Sequence, residues 1–334
     1  MGKIGVLLVN LGTPDHCDNV SVYRYLTQFL NDPFVIDLPL IIRFILVNVI
    51  IVPFRFQQST KAYQEIWLKE GSPLLVYSKR LASALTLELG KNYQVELGMR
   101  YGHPSIAAAA NRLQDCERIV ALPLFPQYST AATESAIQAI HRALKKKSFS
   151  LIRDFYDAPP FIDSMARHLQ AHLQHQTWDC ILFSYHGLPE RHLQPPICGA
   201  PCRSPNPCPA ITQDNASCYR AQCYATSRLL AQALRLNENQ YATSFQSRLG
   251  RTPWIQPYTD LLLPQLVQQG VKHLAVSCPS FVADCLETLE EIGIRLKKQW
   301  VDAGGESLTL VPALNDDPVW VENVAKLIRN QLTP

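Results

Sequence analysis

Four short runs along the chain are apolar without alternation. Ile4–Val9 ends at Asn10 and a Gly12-Thr13-Pro14 turn. Ile119–Leu122 precedes Pro123. Cys180–Ser184 leads into Tyr185-His186-Gly187, and Leu274–Ser277 into Cys278-Pro279. Continuous apolarity over four to seven residues is the pattern of a strand covered on both faces of a parallel sheet. Amphipathic stretches lie between these runs, at Lys79–Leu89, Ala131–Leu144, Phe161–His175, Tyr219–Arg235 and Leu286–Trp300. Strands alternating with helices predict βαβ units and a doubly wound α/β fold. The pattern repeats: Ala121–Phe125 resembles Ser277–Phe281, and the turn after Val9 resembles the turn at His186. Two similar Rossmann-like domains follow as the expectation, each a parallel sheet flanked by helices, over 1–150 and 151–334. Ligands of such sheets bind beyond the carboxyl ends of the strands, where all four turns fall.

Two segments break this rhythm. Residues 38–56 read LPLIIRFILVNVIIVPFRF, interrupted by Arg43, Asn48 and Pro53. Three readings stay open: a buried helix, a membrane span near the lower length limit, and an exposed apolar lip that meets a membrane surface or a greasy ligand. Residues 194–218 are rich in Pro and Cys and exclude regular helix or strand, because Pro removes donors and fixes φ.

Composition narrows the classes. Of 334 residues, 47% are apolar and 18% charged, which excludes a disordered chain. A net charge of +3 lacks the concentrated basic footprint of a nucleic-acid binder. Ile4–Val9 is followed at once by Gly and Pro with no small-residue cleavage site, so it reads as a strand and the expected compartment is the cytoplasm. Ten cysteines, five of them between 198 and 223, then point to metal or catalysis and not to a disulfide scaffold.

The turns carry the candidate chemistry. His186, on a Gly-Leu-Pro turn at a strand end, is a group that takes protons or binds metal near neutral pH. Asp284, Glu287 and Glu291 are spaced i, i+3, i+7 and predict one acidic helix face, a path for divalent cations or protons; Glu290 is expected to face solvent. Arg100-Tyr101, Tyr128 and Trp254 place cations and rings on punctuated loops, which suits a flat aromatic ligand with carboxylates. His168, His172 and His175 share a helix face and read as a solvated surface. No G-x-G-x-x-G follows a strand, which disfavours a dinucleotide-binding oxidoreductase.

Taken in order, these segments resemble the ferrochelatase family over nearly the whole chain: Gly5–Pro14, Gly71–Leu74, Arg100–Pro104, Pro126–Ser129, Ser184–Pro189, Ser247–Trp254 and Asp284–Leu289. The resemblance implies a class II chelatase-like fold and insertion of Fe²⁺ into protoporphyrin IX, the last step of haem synthesis. It implies His186 as the active-site histidine, either proton acceptor or iron ligand, and Glu287 as its acidic partner. Asp284 and Glu291 would continue the acidic path. Leu11, Arg100, Tyr101, Tyr128, Trp254 and Phe281 would line the porphyrin pocket, with the apolar 38–56 stretch as its lip and a peripheral contact at the inner membrane. Coproporphyrin or another divalent metal is the alternative within enzymes, and a non-catalytic haem or iron–sulfur carrier the alternative outside them. The expected assembly is a monomer or homodimer.

One departure stands out. Most relatives run from the His-Gly-Leu-Pro turn to the Tyr-x-x-Gln-Cys helix by a short link. Here Cys198, Cys202, Cys208 and Cys218 lie between them. Four thiolates hold a [2Fe–2S] cluster or a zinc ion. Some bacterial ferrochelatases carry the cluster on an internal cysteine-rich segment, and this segment is similar. Reduced thiols are the remaining reading.

Overall fold

The structure is a computed structural model that describes residues 2–193, 208–248, 250 and 252–332. Eight strands form two four-stranded sheets. The first holds β1 (Ile4–Gly12), β2 (Tyr93–Tyr101), β3 (Arg118–Pro123) and β4 (Phe149–Leu151), in the order β2-β1-β3-β4. The second holds β5 (Cys180–His186), β6 (Tyr241–Gln246), β7 (His273–Ser277) and β8 (Ser307–Leu310), in the order β6-β5-β7-β8. Among the described residues, every pairing within these two sheets is parallel. The repeated order is the expected duplication, and the four apolar runs are β1, β3, β5 and β7, the two inner strands of each sheet.

The inner strands are apolar throughout because helices cover both faces. On one face of the first sheet, Leu7, Val9 and Ala121 pack with Ile106, Leu113 and Ile140. In the second, Leu182 and Val276 pack with Leu263, Ile292 and Trp300.

The chain folds as two compact units. One contains Met1–Phe125, Thr130–Asp154 and Asn315–Pro334; the other contains Pro126–Ser129 and Phe155–Leu314. Against an expected division near 150, the last helix, Pro318–Leu332, returns to the first unit. There Arg329 Nη2 donates to the Glu88 carbonyl at 3.0 Å, at the end of helix Pro73–Leu89.

From Leu40 on, the apolar 38–56 stretch lies on one continuous helical segment, Leu40–Ile66, long and apolar enough to cross a membrane by length and composition. Only 17% of its most apolar window is buried, which removes the buried-helix reading. Its exposure is inverted: Leu40 is 72% and Phe54 81% exposed, whereas Arg43 is 8% exposed. Arg43 turns inward because it satisfies the chain entering the helix, Nη1 donating to the Leu38 carbonyl at 2.8 Å. A π-helical turn, Leu46–Ile51, precedes Pro53. There the Val52 N–H reaches back five residues to the Val47 carbonyl, a widened turn of the kind that relieves a helix next to a residue with no N–H.

Candidate active site

β5 delivers His186 at its carboxyl end. The next residue, Gly187, donates its N–H to the Gln246 carbonyl at 2.7 Å and so ties the ends of β5 and β6 together. A Cβ at Gly187 would meet that carbonyl at 2.6 Å and the Trp254 ring at 3.3 Å, so only glycine fits. His186 Nδ1 lies 2.6 Å from the Gly187 carbonyl. A carbonyl only accepts, so Nδ1 carries hydrogen and the lone pair of the neutral ring is at Nε2. Tyr219 OH donates to the His186 carbonyl at 2.8 Å and lies 3.1 Å from Ser280 Oγ. The Phe281 ring stands edge-on to the imidazole at 6.2 Å. Trp254 pairs with Pro189 in a short antiparallel bridge. His186, Phe281 and Trp254 therefore gather around one strand end.

The acidic residues arrive from the loop after β7. The helix they were expected to share is π-helical over Glu287–Leu296, and Asp284 precedes it. Asp284 is buried and accepts from Thr288 Oγ1 at 2.8 Å and from the Ala313 N–H at 3.1 Å. It anchors the start of the helix, so the predicted three-carboxylate face is reduced to Glu287 and Glu291. Gln246 Nε2 fixes this helix to β6 by donating to the Glu287 carbonyl at 2.8 Å. Glu291 is clamped by Ser247, whose N–H reaches Oε1 at 2.8 Å and whose Oγ–H reaches Oε2 at 2.6 Å. Burial pushes the Glu291 carboxyl above its usual range and Glu287 adds to this, while Ser247 and His186 pull it back. His186, Glu287 and Glu291 thus share one electrostatic neighbourhood. Glu290 does not face solvent: it is 7% exposed and takes both bonds from Arg295 Nε, at 2.8 and 2.9 Å. π-turns are rare and occur often at functional sites; this one carries both carboxylates.

Tyr128 belongs to the same unit, where its N–H meets Gln222 Oε1 at 2.6 Å. Leu11, Arg100 and Tyr101 belong to the other unit. There Asp32 is a buried carboxylate that accepts from Arg100 Nη2, from Tyr101 OH at 2.8 Å and from Ser135 Oγ at 2.7 Å. The Arg100 charge is therefore largely matched from within its own unit. Tyr101 is 1% exposed, which leaves its ring packed under Arg100 instead of facing a ligand. Asp32 and Ser135 had no sequence signal, because their partners are about 70 to 100 residues away. Ser247 marks only the start of a segment resembling the family, and Gln246 ends β6, a strand the apolar runs do not predict.

The histidine row is solvated at His172 and His175 but not at His168. His168 is buried with Nε2 3.1 Å from the Pro312 carbonyl, and His172 Nδ1 is 2.8 Å from the His168 carbonyl. Among the described residues, no three His, Cys, Asp or Glu side chains converge as they would on a bound metal ion. Of the four cysteines singled out, Cys198 and Cys202 lie outside the described residues. Cys218 directly precedes helix Tyr219–Leu234. The buried Arg220 donates to Cys208 Sγ at 2.8 Å.

A family model for ferrochelatase matches residues 3–332. The chain belongs to the ferrochelatase family. It is 51% identical to the ferrochelatase of Coxiella burnetii (strain CbuG_Q212), over 99% of this chain and 94% of the relative. With the ferrochelatase of Legionella pneumophila (strain Paris), identity is 50% over 98% and 99% of the two chains. Among solved structures, the sirohydrochlorin chelatase SirB from Bacillus subtilis in complex with cobalt is similar at a TM-score of 0.55. It is 9% identical, with 98% of this chain and 95% of that one covered. CbiX, titled the terminal enzyme of sirohaem biosynthesis in denitrifying bacteria, matches at a TM-score of 0.51 and 12% identity, covering 98% and 100%. These two likenesses show the fold. The family assignment makes the chain an enzyme that inserts iron into a porphyrin for haem biosynthesis.

Two outcomes follow from this geometry. Gly187→Ala overpacks the β5–β6 junction at a cost of about 1–3 kcal/mol, and both the melting temperature and the insertion rate are expected to fall; unchanged values would contradict the close approach. Asp32→Ala leaves the Arg100 charge without its buried partner, and urea unfolding is expected to show a loss of roughly 3 kcal/mol.

Proposed function

We propose that the enzyme inserts Fe²⁺ into protoporphyrin IX, with His186 as acceptor of the pyrrole protons and Glu287 and Glu291 on the metal side. The observation that carries this reading is the His186 ring: Nδ1 is committed to the Gly187 carbonyl at 2.6 Å, which leaves Nε2 as the proton acceptor. In the reaction two pyrrole N–H bonds break and the ion is bound by all four ring nitrogens. Iron stays ferrous and two protons leave. A planar macrocycle shields those protons, and ring contacts that buckle it expose a nitrogen lone pair. Phe281 and Trp254, beside His186, supply such contacts, with Tyr128 of the same unit as a further wall position. Arg100 would meet a porphyrin carboxylate only with the donors that Asp32 leaves over, and Tyr101 backs it.

Glu287 and Glu291 suit a path better than a store. Two carboxylates and one imidazole without a convergent geometry bind Fe²⁺ loosely enough to release it to the porphyrin. Glu291, raised by burial, also takes up a proton more readily than an exposed acid. Asp284 supports this path by holding the helix start and does not itself meet the ion.

The exposed Leu40–Ile66 segment fits peripheral contact at the inner membrane from the cytoplasm. Leu40, Ile41, Phe44 and Phe54 would enter the lipid interface. A substrate as apolar as protoporphyrin is delivered from that interface. We also read Cys198, Cys202, Cys208 and Cys218 as ligands of a [2Fe–2S] cluster. The Arg220 donation to Cys208 Sγ supports this, because a buried guanidinium favours a thiolate over a thiol. When bound, such a cluster would carry one electron and cross-link the segment; insertion itself needs no electron.

His186→Ala is expected to abolish insertion while porphyrin still binds, measured by Zn²⁺ insertion and by porphyrin fluorescence titration; full activity would refute the proton-acceptor role. Side-by-side assays are expected to favour protoporphyrin over coproporphyrin, and the reverse preference would overturn the substrate reading. Anaerobically purified protein is expected to contain two iron and two sulfide per chain, with visible absorbance; colourless protein containing zinc would refute the cluster.

A further inference from the structure

Among the described residues, three non-glycine residues have left-handed backbone: Arg235, Ser247 and Asn315. Arg235 is a helix C-cap, where that conformation is common. Asn315 belongs to a residue type that adopts it readily. Ser247 has neither reason. It follows the last residue of β6 with φ +67°, a conformation that strains a residue with a Cβ.

The twist has a local consequence. It aims the Ser247 N–H and hydroxyl at the same carboxylate, one donor to each oxygen of Glu291, at 2.8 and 2.6 Å. Glu291 has a competing partner. Arg295 lies four residues on with Nη2 4.0 Å away, although its Nε is already committed to Glu290. A carboxylate in contact with Arg295 alone would turn along the helix, out of the neighbourhood it shares with His186 and Glu287. The clamp decides between these two orientations.

We propose that Ser247 is a positioning residue for metal delivery: it uses a strained backbone to hold the Glu291 carboxylate beside His186 and Glu287. This rests on the reading that Glu291 handles the metal. Outer donors that orient a metal-handling carboxylate contribute strongly to metal affinity, and their loss typically weakens it on the order of tenfold or more.

The test varies Zn²⁺ and porphyrin separately in insertion assays of Ser247→Ala, Ser247→Gly, Ser247→Thr and Glu291→Gln, with a melting curve for each. Ser247→Ala and Ser247→Gly are expected to raise the KM for Zn²⁺ on the order of tenfold with the porphyrin KM unchanged. Ser247→Thr keeps the hydroxyl but puts a branched Cβ at φ +67°, so it is expected to bring the metal KM back toward the wild-type value while lowering the melting temperature. Ser247→Gly adopts φ +67° without strain, so its melting temperature stays at or above that of the wild type. A raised metal KM in that variant therefore reports orientation and not unfolding. If Glu291→Gln raises the metal KM but both the Ala and Gly variants keep the wild-type value, the positioning role is overturned while the metal path stands. If Glu291→Gln itself leaves the metal KM unchanged, the metal path falls and the proposal falls with it.

Discussion

Gln246, at the end of β6, is the residue on which the site's geometry depends. Its carbonyl receives the Gly187 N–H, which sets the turn carrying His186. Its side-chain oxygen receives Ser184 Oγ–H at 2.7 Å and the Cys278 thiol at 3.6 Å. Its side-chain nitrogen reaches the Glu287 carbonyl at 2.8 Å. One residue, 3% exposed, thus joins β5, the loop after β7 and the first turn of the π-helix. Each of these polar groups is buried and would be costly to leave unpaired, so the three elements are held in a single arrangement. Ser247 follows directly and extends the same linkage to Glu291.

That arrangement explains how a parallel sheet with an apolar interior presents polar chemistry at one edge only. Along β5 the burial is complete through Tyr185, and the first half-exposed side chain is His186. Ser184 Oγ also lies within hydrogen-bond distance of Thr259 Oγ1, and Tyr185 OH of Ser227 Oγ, which keeps the strand satisfied up to the turn. The lip segment follows an opposite logic. Leu40, Ile41, Phe44 and Phe54 are exposed there, while Arg43 is buried and donates to the Leu38 carbonyl.

Two acids and a histidine show where reading by helical period stops. The i, i+3, i+7 spacing of Asp284, Glu287 and Glu291 describes an α-helix, but the chain here forms π-turns and begins them after Asp284. Widening the turn rotates the face, so Glu290, expected in solvent, is buried against Arg295. His168 looked solvated because its sequence neighbours are polar, yet the Pro312 carbonyl covers it from 144 residues away.

The sequence alone determined the inner strands, their duplication, the strand ends as the place of chemistry and, through its motifs, the family. Those features rest on local patterns: apolar runs of strand length, and Gly and Pro at turns. Tertiary structure decided which polar groups are committed and which are left for the reaction. It took Arg100 and Tyr101 to Asp32, Asp284 to Thr288 and Ala313, and Glu291 to Ser247. It also returned the last helix to the first unit. The reason is physical: a strand's burial is written in its own residues, whereas a buried charge is defined by the partner that compensates it, and those partners come from other elements of the fold.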